Sequence, residues 1–284
     1  MKTRFGLLLL LAVLISGAAS AQNEESQQAI NAANDKSGNS LIFDTIPVFA
    51  DEFNYTGLPD PNKWGYDIGG SGWGNNELQY YTNQLKNAFV ANGKLTITAY
   101  KEDMEGRNYT SARLITKNKG DIKYGRIEVK AQIPAGLGTW PAIWMLPTDW
   151  VYGGWPSSGE IDIMEHVGYD QDVIHITTHS EKYYFKINTQ KSATKKIENA
   201  STQYHLYRVD WTPEKITGYI DNELIFTNVN EGTDYKAWPF DQRFHLLLNI
   251  AVGGDWGGAK GIDENAFPAS MLVDYVRFYK MIEK

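Results

Sequence analysis

The sequence predicts an all-β protein, two antiparallel sheets packed face to face. Three observations carry this. Aromatic residues make up 13% of the chain, with 9 Trp and 17 Tyr, and 26 of the 284 residues are Gly. Strand-forming runs broken by Gly-rich turns are the composition of sheet proteins. Strand-like runs recur at 95–100, 126–133, 161–164, 216–220, 244–252 and 272–279, and no window carries the 3.6-residue apolar period of a long amphipathic helix.

From the N-terminus, the first element is an export signal rather than part of the fold. Lys2 and Arg4 supply positive charge, residues 7–15 are apolar, and Ala19-Ser20-Ala21 is a small-residue cleavage site. The apolar run is shorter than the ~20 residues a membrane span needs. Residues 1–21 are therefore expected to be removed, leaving a mature chain outside the cytoplasm, secreted or periplasmic, with no membrane span. Removal takes two of 27 Lys+Arg and none of 34 Asp+Glu, so the balance becomes 25 − 34 = −9. Residues 22–44 are polar and poor in aromatics and read as a flexible leader. From 45 to 284 no linker, repeat or low-complexity break appears, which predicts one domain, expected to be a monomer.

Within that domain the runs alternate as half-buried strands do. In 126–133 the apolar residues take every second place. Asn92-Gly93, Pro134-Ala135-Gly136 and Asp221-Asn222 supply turns. A net charge of −7 and a pI near 5.3 weigh against nucleic acid and anionic membranes, both of which need clustered positive charge. A neutral ligand fits better. With no cysteine, there is no disulfide, thiol nucleophile or thiolate metal site.

The informative segment is Glu160-Ile161-Asp162-Ile163-Met164-Glu165. In a helix, Glu160 and Glu165 would point about 140° apart at ~100° per residue, too far to share a site. In a strand, Glu160 and Asp162 share one face, and Ile161 and Ile163 the other. Glu165 then falls out of phase, and an unpaired carboxylate in a core is very costly. A β-bulge at Ile163 or Met164 restores it to the acidic face. Three crowded carboxylates raise the pKa of at least one. Retaining glycoside hydrolysis uses such a set: one carboxylate attacks the anomeric carbon and another, protonated, donates to the leaving oxygen. A calcium site or a solvated acidic edge are the other readings, and the flanking isoleucines weigh against the edge.

The segment and its neighbours resemble glycoside hydrolase family 16, in its laminarinase-like (endo-β-1,3-glucanase) branch. The neighbours are the segments running from Gly72-Trp73-Gly74-Asn75-Asn76-Glu77 to Tyr81, Ser111-Ala112-Arg113-Leu114, Trp140-Pro141-Ala142-Ile143-Trp144 and Gly253-Gly254-Asp255-Trp256. The likeness covers roughly 51–279. Other branches resemble a form one residue shorter before the last Glu. The resemblance implies a jelly-roll β-sandwich with a concave substrate groove. It implies Glu160 as nucleophile, Asp162 as its assistant and Glu165 as acid/base, with Trp140 and Trp144 beside the scissile bond. It further implies sugar-hydroxyl contacts for Arg113 and for Asn75 or Asn76.

Flat rings bind the apolar faces of neutral sugars without charge, and Trp73 and Trp256, each amid glycines, offer further platforms. Trp64, Trp211 and Trp238 read as core. His179, on the run after the acids, is a candidate hydrogen-bond partner near the reaction centre, with a structural role as its alternative. The resemblance also implies a structural calcium ion at Glu52, the Gly93 carbonyl and Asp274, joining the two ends of the domain, and no organic cofactor. The expected partner is a neutral β-glucan such as laminarin. Mixed-linked β-glucan, agarose, porphyran or carrageenan under the same chemistry, and a non-catalytic glucan-binding module, are the rivals.

Overall fold

A computed structural model describes residues 42–282. The expected signal, and the leader as far as residue 41, lie outside the described residues. Ile42–Phe43, the last part of that leader, pairs antiparallel with Met281 and Ile282 in a small unit of its own. The rest, Ile46–Lys280, forms the second unit.

Two sheets make up this larger unit. One orders Glu223–Val229, Lys215–Ile220, His205–Trp211, Gly125–Gln132, Ala269–Ile282, Lys94–Met104, Arg107–Ser111 and Gln79–Tyr81. Phe49–Asp51 adds to Ala269–Ile282, and Ala88–Ala91 to Lys94–Met104. The other orders Lys191–Lys196, Val173–His179, Glu160–Glu165, Thr139–Pro147, Phe244–Val252, Arg113–Ile115 and Gly65–Tyr66. Its pairings are all antiparallel. In the first sheet one pair departs from the antiparallel expectation: Gln79–Tyr81 runs parallel to Arg107–Ser111. The two sheets pack against each other, Phe244–Val252 on Lys94–Met104 and Glu160–Glu165 on His205–Trp211. The fold is the predicted jelly-roll sandwich.

Alternation decides which side chains meet between the sheets. Ile127, Val129 and Ala131 face Ile143, Met145, Ile161, Ile163, Ile174 and Ile176 in one buried cluster. Each such aliphatic side chain, fully buried, contributes roughly 1.5–3 kcal/mol. Phe244–Val252 is buried along its whole length, as the centre of its sheet requires. The Asn92-Gly93 and Asp221-Asn222 turns take left-handed backbone at both residues (φ 54 and 71°, 49 and 69°), which lets a two-residue hairpin follow the strand twist. The two longest predicted runs are both strands, and the only α-helix among the described residues is the short Gly254–Gly257. Trp64, Trp211 and Trp238 are buried in the core cluster.

Candidate active site

The face of the smaller sheet that points away from the core carries a groove. Alternation places Trp140, Ala142 and Trp144 on that face and Ile143 and Met145 in the core. On the next strand, Asn249 and Ala251 face the groove, and Leu248 and Ile250 the core. The acidic strand obeys the same rule until its bulge. Asp162 lies opposite Thr177, and Glu165 opposite His175, so three steps on one strand match two on its partner. On the other side Met164 pairs with Ile143, and Asp162 with Trp144. The extra residue falls at Ile163–Met164, and both side chains are fully buried. Glu165 thereby returns to the groove face beside Glu160.

The groove consists of two adjoining hollows of ≈ 390 and ≈ 490 Å³. Asn75, Trp140, Glu160, Glu165 and Phe185 line both, so the two glutamates stand where the hollows meet. Trp73, Arg113, Trp144 and Trp155 line one side. His175, His179 and Trp256 line the other. A chain-like ligand lying across this junction presents an internal linkage to the acids.

Two indole N–H groups aim at the two glutamates. Trp155 Nε1 donates to Glu160 Oε2 at 3.0 Å, and Trp140 Nε1 to Glu165 Oε1 at 3.1 Å. Burial pushes the Glu160 carboxyl up to about 8, with the Glu165 charge adding to it, while Trp155, Arg113 and Asp162 oppose the rise. Burial pushes Glu165 up to about 7 against the pull of Trp140. Asp162, only 1% exposed, is raised well above the ordinary carboxylate range by burial and by its two acidic neighbours. Its hydrogen bond with Glu160 favours ionised Glu160 and protonated Asp162. Asp162 thus holds a proton toward Glu160, and Glu160 has two donors where Glu165 has one. Burial lifts Glu160 further than Glu165 and by itself would ionise Glu165 first; the second donor on Glu160 acts against that order, toward ionised Glu160 and protonated Glu165, the division that paired carboxylates need.

His179 Nε2 lies 3.4 Å from Asp162 Oδ2 and 3.9 Å from Glu160 Oε1. Burial lowers its pKa to about 4, so it meets the acids as a neutral imidazole. His166 faces away from the groove, its ring accepting from the Asp172 backbone N–H. Arg113 lies between the Trp73 and Trp144 rings, 4.7 Å from each centroid, and pairs with Asp67 at 3.0 Å. Trp256 stands edge-on to Trp140 and to His175. Its loop lies close because Gly257 has no Cβ, which would sit 2.9 Å from Trp140 Cβ. Asn75 faces the groove, whereas Asn76 points to the rim and donates to Asp255.

Glu52, Gly93 and Asp274 are not among the groove residues. The Arg277 guanidinium donates to both Glu52 oxygens at 2.7 and 2.8 Å, and Lys130 pairs with Asp274 at 2.9 Å. A cation held there competes with two positive side chains.

Several groove residues escape sequence reasoning, His175 and Trp150 among them, and four more are instructive. Trp155 stands in Gly153-Gly154-Trp155-Pro156, the same aromatic-amid-glycine context that singles out Trp73 and Trp256. Asn249 is the polar interruption of an otherwise apolar strand centre, Leu246–Val252. Glu77 lies inside a recognised motif but carries no chemical cue of its own. Phe185, on the single 3₁₀ turn Phe185–Ile187, gives no signal at all.

Comparison with known proteins agrees with this geometry. The family model described as glycosyl hydrolases family 16 matches residues 75–277. A β-glucanase of Rhodothermus marinus is 52% identical over 244 residues, 83% of this chain and 85% of that protein. The X-ray structure of the laminarinase from Rhodothermus marinus superposes with a TM-score of 0.83 at 50% identity, covering 86% of this chain and 99% of that one. Glucan endo-1,3-β-glucosidase A1 of Niallia circulans is 37% identical over 82% of this chain, which spans 37% of that longer protein. With its predicted acids gathered at the junction of one groove, this chain belongs to glycosyl hydrolases family 16 and is a glycosidase.

Proposed function

We propose that the chain cleaves β-1,3-glucan of the laminarin type at internal linkages, with retention of anomeric configuration. Glu165 gives its proton to the glycosidic oxygen as a Glu160 oxygen bonds to the anomeric carbon and the leaving chain departs. Water then attacks that carbon, its proton passes to Glu165, and the Glu160 ester is released. Asp162 holds its proton toward Glu160, and neutral His179 donates from the other side. Trp140, Trp144, Trp73 and Trp256 stack on the sugar rings, while Arg113 and Asn75 contact hydroxyls.

One observation carries the reading: the bulge at Ile163–Met164 brings Glu165 to the face of Glu160 where two open hollows meet. A groove open on both sides suits a chain cut in its middle. Intact acids favour an enzyme over a binding module, and the acidic net charge disfavours sulfated galactans. The relatives named as laminarinase and endo-1,3-β-glucosidase support the glucan.

The test is purified protein against laminarin, lichenan, agarose, porphyran and carrageenan, scored by reducing ends and by NMR of the first product anomer. Laminarin is expected to be cut fastest, with a rapid fall in chain length and β product first. Cleavage confined to a galactan, or α product first, overturns the reading. Among the described residues no helix is long and apolar enough to cross a membrane. Export is proposed from Lys2, Arg4 and Ala19-Ser20-Ala21, and a secreted chain starting at Gln22 on N-terminal sequencing supports it.

A further inference from the structure

One buried carboxylate in the groove has no part in the chemistry above. Glu77 lines the hollow that holds Trp144 and is 5% exposed. A lone carboxylate so placed is costly unless it is well hydrogen-bonded. Gln79 Nε2 donates to Glu77 Oε2 at 2.6 Å, the Tyr81 hydroxyl donates to the same oxygen at 3.3 Å, and Asn75 Nδ2 donates to Oε1 at 3.4 Å. All three partners donate, and Arg113 adds positive charge nearby. Burial raises the Glu77 carboxyl above the ordinary range, and these donors and Arg113 oppose the rise by favouring the ionised form.

The partners lead outward to sugar-facing residues. Asn75 lines both hollows. The Tyr81 hydroxyl accepts from Asn249 Nδ2 at 3.0 Å, and Asn249 Oδ1 accepts from Trp144 Nε1 at 2.7 Å. Gln79 Oε1 accepts from the Val252 backbone N–H at 2.7 Å and so ties the assembly to the central strand. The loop carrying Trp256 packs on the same residue, since a Cβ on Gly254 would lie 3.3 Å from Glu77 Cγ.

The geometry points to Glu77 as a positioning residue: its carboxylate orients Asn75 directly and the Trp144 ring through Tyr81 and Asn249, and its negative charge shares one hollow with Glu165. This rests on the acid role proposed for Glu165. The groups around Glu165 are Glu160 and Asp162 on its own strand, His175 on the next strand, Trp140 as donor, and Glu77 across the groove. Asp255 lines the second hollow, and Arg113 faces Glu160 and Glu77. Burial is the main cause of the raised Glu165 carboxyl, and the Glu77 charge adds to it.

Two variants separate the two effects. Glu77→Gln removes charge and spoils the acceptor set. Tyr81→Phe breaks the relay to Trp144 and leaves the charge. Losing a hydrogen bond to a charged group corresponds to roughly a tenfold change, so both variants are expected to raise KM for laminarin about tenfold. Only Glu77→Gln moves the alkaline limb of kcat/KM to lower pH, because the acid loses the charge that helps it keep its proton. If Glu77→Gln fails to fold by circular dichroism, Tyr81→Phe still decides the relay: an unchanged KM overturns it. A folded Glu77→Gln with an unmoved alkaline limb overturns the charge role. Wild-type protein inactive on laminarin would instead overturn the proposed function itself.

Discussion

The bulge at Ile163–Met164 makes a prediction in which removing one residue and removing two have opposite outcomes. Deleting Met164 leaves Glu-Ile-Asp-Ile-Glu, a strand of unbroken alternation. Ile163 then stands opposite Ile143 and Ile176, and the glutamate keeps its places opposite Ala142 and His175. It stays on the groove face, so turnover survives. Deleting Ile163 together with Met164 puts the glutamate at odd spacing from Glu160 and turns it toward the core, and activity is lost.

Stability separates the two effects further. Met164 is fully buried in the core cluster, and losing such a side chain costs about 2–5 kcal/mol. At roughly 2–4 °C per kcal/mol for a domain of this size, the melting temperature of the deletion falls about 4–20 °C. The assay is calorimetry together with laminarin hydrolysis well below the lowered melt. A folded single-deletion variant without activity, or an active double-deletion variant, refutes the phase argument.

Glu165→Gln is expected to lower kcat by roughly 10²–10⁴-fold, the usual contribution of a general acid, and to abolish the alkaline limb, which wild type shows as Glu165 loses its proton near a pH of about 7; a retained limb assigns the acid elsewhere. The same substitution probes stability: burial raises the folded pKa above the unfolded value of 4.5, so wild-type stability is full below about 4.5 and falls as pH rises through about 7. Melting of wild type against Glu165→Gln should therefore diverge at pH 8 in favour of the variant and converge near pH 4, and parallel curves contradict the burial argument. Trp155→Phe removes a donor that favours ionised Glu160, so the acidic limb of kcat moves to higher pH, read from a pH–rate profile; an unmoved limb removes that role. Calcium at Glu52, the Gly93 carbonyl and Asp274 is expected to raise the melting temperature, about 2.7 kcal/mol of stability at a hundredfold excess over Kd, and Glu52→Gln to remove the rise; equal melting in EDTA and in calcium rules the ion out.

Much of this site was legible before folding because a strand has a period of two. The acids at 160 and 162, the isoleucines between them and the out-of-phase glutamate at 165 together demand a bulge, and the bulge lies there. Trp140 and Trp144 flank a core isoleucine for the same reason. Trp155 was readable in principle by the rule that singles out Trp73. Phe185 was not, since a single 3₁₀ turn of three residues is too short to show a period, and its place in the groove depends on how the chain returns over the sheet.

The sequence by itself determined the all-β class, the phase of the acidic strand and the side of the sheet on which its chemistry sits, because alternation is local and each strand carries it alone. Only the tertiary structure decided which donors and how much burial each of the three acids meets. Trp155 and Trp140 are donors from other segments, and burial is a property of the packed sandwich. It also decided that Glu77, unremarkable in its motif, stands in a hydrogen-bonded chain ending at Trp144. Tyr81 and Asn249 are 168 positions apart along the chain and meet because Gln79–Tyr81 packs beside the central strand.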